Sequence, residues 1–134
     1  MKASRLWIAI LLLVAGLLAG CPASSPTGST APEMVIVRYL EARVKGDADA
    51  MTRLSCADWE SNARTEAASL RNVKVTLENL QCTTTDRDAT IAFVHCEGKI
   101  VANYNGELRD FDLSLRDFRL VQQRGEWLMC GYRD

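Results

Sequence analysis

The chain has a single histidine, His95, among its 134 residues. That excludes paired-histidine metal motifs, and Cys–His spacing of the zinc-finger type is absent as well. No Cys-x-x-Cys occurs, which argues against a dithiol redox catalyst. There is no phosphate loop, no nucleophile elbow and no His-Glu-x-x-His. Charge of one sign is not concentrated, since 16 Lys and Arg face 17 Asp and Glu. Without a basic stripe, a nucleic-acid partner is disfavoured. Internal repeats are absent. Nothing in the residue pattern calls for a cofactor or a metal.

What the chain does have starts at its N-terminus. Lys2 and Arg5 precede an uncharged apolar run from Leu6 to Leu18. A membrane-crossing helix needs about 20 apolar residues, and this run is shorter. It fits the roughly 7–15-residue apolar region of a secretory signal. Ala19 and Gly20 supply small residues beside a cleavage point, and Cys21 follows directly. Leu18-Ala19-Gly20-Cys21 matches Leu-[Ala/Ser]-[Gly/Ala]-Cys at all four positions and resembles the lipoprotein signal of bacteria. The resemblance implies a diacylglyceryl group on the Cys21 thiol, cleavage before Cys21 and acylation of the new amino group. Residues 1–20 are then a removed signal peptide. The product would sit in the bacterial cell envelope, lipid-anchored with its domain on the extracytoplasmic side. One acyl chain holds marginally at about 0.8 kcal/mol per buried CH₂, whereas two or three hold stably. No polybasic segment adjoins Cys21, so the lipid is expected to do the membrane work alone.

Removing residues 1–20 leaves 114 residues with 14 basic and 17 acidic side chains, enough for one domain with a real core. Residues 21–32 are the lipidated Cys and a linker. Pro22 to Pro32 contains only Pro, Ala, Ser, Thr and Gly, which cannot bury apolar surface. The expectation is a disordered tether spanning roughly 5–6 Å × √n for n residues. The folded domain is residues 33–134.

Pro32 and Glu33 open a helix. Its expected apolar stripe is Val37, Leu40 and Val44, widened by Met34 and Ile36. Gly46 ends it and Asp47 caps a second helix, with Met51 and Leu54 facing inward. Asp58 is expected to cap a third helical segment through about Leu70. From Asn72 the apolar period changes to two. Val73, Val75 and Leu77 alternate with polar residues, and Asp86-Arg87-Asp88 reads as a turn. Thr90 to Ala102 is a second strand, and Asn105-Gly106 a hairpin turn. Leu108 to Val121 is a third strand, with a parity change between Leu115 and Phe118 that predicts a bulge. Arg124-Gly125 turns into a last strand from Glu126 to Tyr132. The fold class is α+β, two to three helices packed on a curved four-stranded antiparallel sheet.

Tyr39-Leu40-Glu41-Ala42, Gly46-Asp47, Gly98-Lys99-Ile100, Tyr104, Gly106-Glu107 and Trp127…Cys130-Gly131-Tyr132 resemble the nuclear transport factor 2-like superfamily, closest to its small bacterial lipoproteins. The resemblance covers about residues 33–134 and implies a cone-shaped α+β domain. It also implies a homodimer through the open sheet face. The superfamily holds isomerases, dehydratases, cyclases and many non-enzymes, so fold alone does not give function.

Cys56, Cys82, Cys96 and Cys130 lie in the exported part, and an even number in an oxidising compartment implies two disulfides. Cys82–Cys96 and Cys56–Cys130 are favoured, the first joining neighbouring strands. A tight hairpin centred on Arg87 would place Cys82 opposite Ala92, so that bond requires a longer loop or a bulge. Cys56–Cys96 with Cys82–Cys130 remains the alternative, and free thiols are a third.

His95 is a surface residue if Val94 faces the core. Isomerase-type relatives use a carboxylate base beside a Tyr or acid donor. The stand-ins here would be Asp112 with Tyr104 or Tyr132, though Asp110, Asp112 and Asp117 read as a solvated strand face. Tyr39, Trp59, Phe93, Tyr104 and Trp127 are candidate cavity-lining residues, and Phe111 and Phe118 are further aromatics. No catalytic set converges. The leading reading is a non-enzymatic, lipid-anchored scaffold or interaction module. A binder of a small apolar ligand is second, distinguished by a pocket of several hundred cubic ångströms. An isomerase- or cyclase-like enzyme is third, distinguished by a buried carboxylate of raised pKa.

Overall fold

Pro32 begins α1 (Pro32–Val44) in the computed structural model of the chain, which describes residues 29–134. The signal segment, Cys21 and the linker up to residue 28 lie outside the described residues. Pro at a first-turn position loses no intrahelical bond, and Glu33 favours the positive end of the helix. The face that α1 buries is Val35, Ile36, Tyr39, Leu40 and Ala42, whereas Met34 is 45% exposed. This is rotated from the expected stripe. Tyr39 sits at its centre, because its hydroxyl reaches Glu66 on α3 while its ring fills the core.

Gly46 turns the chain at φ 66°, and the Asp47 carboxylate accepts from Ala50 N–H at 2.9 Å to cap α2 (Ala48–Arg53). The expected cap at Asp58 is not made. A 3₁₀ turn, Ala57–Trp59, intervenes, and α3 (Glu60–Ser69) starts after Trp59. The reason lies just upstream, where the chain is pinned to the sheet. Cys56 N–H donates to Met129 O and Met129 N–H to Leu54 O, each at 2.8 Å.

The sheet has five antiparallel strands rather than four: β1 (Lys74–Arg87), β2 (Ile91–Tyr104), β3 (Glu107–Asp112), β4 (Asp117–Gln123) and β5 (Glu126–Arg133). The expected strand from Leu108 to Val121 is split by a 3₁₀ turn at Leu113–Leu115. The Asp112 carboxylate accepts from the Ser114 N–H at 2.8 Å and the Ser114 hydroxyl at 2.7 Å, which ends β3 and redirects the chain. β3 then pairs with Lys99–Tyr104 of β2, and β4 with Ile91–Val94. The order is β1-β2-β4-β5, with β3 beside β2.

β1 changes parity between Glu78 and Gln81, where Asn79 has φ 53°. The inward side chains shift from Val75 and Leu77 to Leu80, Cys82 and Thr84. A second irregularity lies between Thr84 and Asp86, and the turn follows at Asp88–Thr90. Cys82 therefore pairs directly with Cys96, and the two form a disulfide. The other disulfide is Cys56–Cys130.

Gly98 faces the first bulge at φ 104°, and a Cβ there would lie 2.5 Å from Glu78 O and 2.7 Å from Asn79 O. Gly98→Ala is expected to destabilise the domain by about 3 kcal/mol, combining left-handed strain with backbone overpacking. Urea denaturation would check this, and a loss under about 1 kcal/mol would show that the bulge relaxes freely.

Ile36, Tyr39, Leu40, Met51, Val94, Ile100, Phe118, Leu120 and Met129 fill the space between helices and sheet. Among the described residues no helix is long and apolar enough to cross a membrane.

Candidate ligand-binding cleft

Both oxygens of Glu66 are taken by tyrosine hydroxyls. Tyr39 donates to Oε2 at 2.9 Å and Tyr132 to Oε1 at 2.7 Å. The Trp59 indole N–H donates in turn to the Tyr39 hydroxyl at 3.1 Å. A guanidinium nitrogen of Arg43 lies 3.8 Å from Glu66. The geometry follows from spacing. Tyr39 and Arg43 are four apart on α1 and share a face. Glu66 lies on the α3 face that also buries Ala63 and Ala67. Tyr132 reaches it from the end of β5.

Burial, and then the Glu66 charge, push the Tyr39 phenol well above its ordinary pKa, and the same two causes raise Tyr132. Both phenols therefore stay protonated donors at any physiological pH. The Tyr132 ring packs edge-on against Trp59 at 5.4 Å and against Phe118 at 5.2 Å. The Arg116 guanidinium lies over it at 4.7 Å, a cation–π distance.

This network floors an open cleft of about 310 Å³. Arg43, Glu66, Arg116, Phe118 and Tyr132 line it, with Phe111 and Leu113 on the apolar side. Phe111 and Leu115 form an exposed apolar rim, 41% and 75% exposed. Asp110 is held by Lys99 Nζ at 2.6 Å. Asp112 is held by Ser114, whose hydroxyl and N–H keep its carboxyl below the usual range. Both carboxylates line the cleft at its exposed rim, each hydrogen-bonded through one oxygen.

Of the five candidate cavity aromatics, the structure brings two together, Tyr39 and Trp59. Phe93 lies on the opposite sheet face from Ala92 and Val94, under the Arg133 guanidinium at 3.6 Å. Tyr104 is near the β2–β3 turn beneath Arg109 at 5.5 Å. Trp127 is buried at the other end of the sheet, with Arg87 over its ring at 5.1 Å. The sequence reading missed Glu66, Arg43 and Arg116. Glu66 on α3 gave no signal, because its partners lie 27 and 66 residues away.

His95 points to the outer face. Val94 is fully buried, and the His95 Nδ1 meets the Asp117 carboxylate at 2.9 Å. Arg133 holds the other Asp117 oxygen at 2.6 Å. Asp117 thus has a lowered pKa, first through the Arg133 hydrogen bond and then, against burial, through His95. A depressed folded pKa stabilises the native state above the unfolded value, 3.8, and that contribution is lost as pH falls through the folded value. The stability that Asp117 contributes relative to Asp117→Asn is expected to shrink below about pH 4. Urea midpoints against pH would read it, and a difference that stays flat to acid pH would refute the linkage.

No family model matches the sequence, and a search of curated proteins finds no significant match. Solved structures do match. A protein of unknown function from Mycobacterium tuberculosis superposes with TM-score 0.52 at 14% identity, over 75% of this chain and 66% of that one. A candidate ketosteroid isomerase from Shewanella frigidimarina gives 0.52 at 16%, over 77% and 93%. A candidate polyketide cyclase from Xanthomonas campestris gives 0.50 at 14%, over 73% and 87%. The likeness defines a class of architecture, a layer of helices on an antiparallel sheet. More particularly, the domain shares its fold with these three proteins, helices packed on one antiparallel sheet, at identities that show fold alone. Two disulfides in such a domain point to an oxidising, extracytoplasmic environment.

Proposed function

We propose that this protein is a lipid-anchored extracytoplasmic module. In this reading it is acylated at Cys21, is tied to the membrane through the residues that precede α1, and holds a small ligand in the Glu66 cleft without transforming it. The observation that carries the ligand reading is Arg116. Among the described residues it has no carboxylate partner, yet it stands in the cleft over Tyr132 beside Arg43. A small molecule with an acidic or acceptor group and an apolar body would satisfy the guanidinium and cover Phe111 and Leu115. The volume is at the low end of small-molecule sites, about 300–1,000 Å³. Binding rather than turnover is favoured because both Glu66 oxygens already accept hydrogen bonds and the other carboxylates lining the cleft, Asp110 and Asp112, are exposed to solvent, so among the described residues no buried carboxylate stands free there as a base. Isomerase-like chemistry through Asp112 and His95 would need carboxylate and imidazole together in the cleft; Asp112 lines it, exposed and bonded to Ser114, while His95 lies on the outer sheet face with Asp117.

Native mass spectrometry of the membrane-isolated protein under non-reducing conditions tests the proposal. The expected result is acyl mass at Cys21, two disulfides and a co-purifying small molecule that Arg116→Ala releases. Wild-type protein that carries no ligand, and that no small acid protects thermally, would remove the binding reading.

A second reading, the interaction module or homodimer through the sheet, has its own observation. β3 is exposed along its whole length, including Leu108 at 64%, and pairs only with β2. Such an edge can add a strand from a partner. Replacing Arg109 by proline on β3 is expected to abolish strand addition while leaving cleft binding intact, read by sedimentation and by ligand titration.

A further inference from the structure

The sequence shows no basic run beside the proposed anchor, but the folded chain gathers one. At the end of the domain where the tether enters, Ser29 and Thr30 line a concavity of about 540 Å³. Arg38 from α1, Arg53 at the end of α2 and Arg124 from the β4–β5 turn line the same concavity. All three are exposed. Among the described residues none of them forms an ion pair. Glu126 is the one carboxylate lining it. Trp127 also lines it, and its buried indole N–H has no acceptor among the described residues. Three unpaired guanidiniums around a hollow are suited to the planar, bidentate recognition of phosphate oxygens.

We propose that this concavity is a membrane-facing site that docks the domain onto the phosphate headgroups of anionic lipids. The inference rests on the reading of Cys21 as a lipid anchor, which would place a bilayer eight residues from Ser29. Eight residues reach at most about 28 Å even when fully extended, so the arginine cluster lies within reach of the headgroups. Each arginine near an anionic surface contributes about fivefold in affinity, and three about a hundredfold. The tether then does not hold the domain free of the bilayer. It presents the Arg38 end to the lipid and leaves the cleft around Arg43 and Arg116 to the periplasmic or external side. Arg38 and Arg43 lie on one helix but at separate hollows, which is why one end can dock while the other stays open.

The test uses the full product isolated from membranes, its mass giving the state of Cys21. It is placed in nanodiscs of phosphatidylcholine with and without phosphatidylglycerol. Hydrogen exchange in the segments carrying Arg38, Arg53 and Arg124 is expected to slow about fivefold or more in the anionic discs. The slowing should vanish at high salt and in an R38Q/R53Q/R124Q variant of unchanged melting temperature. Equal exchange in both discs overturns the proposal, and leaves the anchor standing where acyl mass is present. Equal slowing by inorganic phosphate in phosphatidylcholine discs also overturns it, because the occupant would then be a soluble anion. A product without acyl mass overturns the anchor alone. The docking site is then read by sedimentation with phosphatidylglycerol vesicles. About a hundredfold weaker binding of the triple variant supports the site, and equal binding refutes it.

Discussion

Replacing Cys56 and Cys130 together by serine is expected to cost about 4–5 kcal/mol of stability, close to the whole margin of many small domains. The two residues are 74 apart in sequence. Loop closure in the unfolded chain grows with the logarithm of that separation, so this bond constrains far more than Cys82–Cys96, whose residues are 14 apart and whose loss should cost about 3 kcal/mol. The longer bond also sits where the helical layer meets the sheet. Ser55 bridges to Met129 beside it, and the hydrogen bonds of Cys56 and Met129 depend on the same approach. Cys56 is 2% exposed, so a serine hydroxyl there would need a partner that the surrounding apolar side chains do not supply. The melting temperature should fall by about 20 °C or more, read by calorimetry on both double variants. Equal losses for the two disulfides would show that loop length is not what decides.

Glu66→Ala is expected to be the most damaging single change at the cleft, at about 3–4 kcal/mol. It leaves the Tyr132 hydroxyl without an acceptor, the Tyr39 hydroxyl with only its Trp59 donor, and Arg43 without its nearest carboxylate. Orphaned buried polar groups cost about 1–3 kcal/mol each. Arg43 Nε is already buried without a partner, so the loss of Glu66 falls on a group with nothing in reserve. Glu66→Gln keeps an oxygen acceptor and should recover much of the loss. A double-mutant cycle between Glu66→Ala and Tyr132→Phe should show a coupling of about 1–3 kcal/mol, because the two share one hydrogen bond. Additive losses would mean that Tyr132 is held by its ring contacts with Trp59 and Phe118 alone.

Much of the architecture was legible because its signals are local. Asp47 caps α2 three residues ahead of its N–H partner, and Asn105-Gly106 makes the β2–β3 turn with both residues at positive φ. The split after Asp112 was read as a bulge, since parity shows that a strand changes face but not that it breaks into a turn. The α1 stripe was misplaced for a different reason. Hydropathy ranks Met34 and Val37 above Tyr39, while burial went to the residue whose hydroxyl finds Glu66.

The sequence by itself determined the order of helices before strands, most of the turns, and the expectation of an acylated Cys21, because each of these is written in neighbouring residues. Only the tertiary structure decided the fifth strand, the register that joins Cys82 to Cys96, the cleft around Glu66 and the arginine cluster at the tether. Those features join residues dozens of positions apart, and their contacts depend on how bulged strands and helices pack, which periodicity along the chain does not encode.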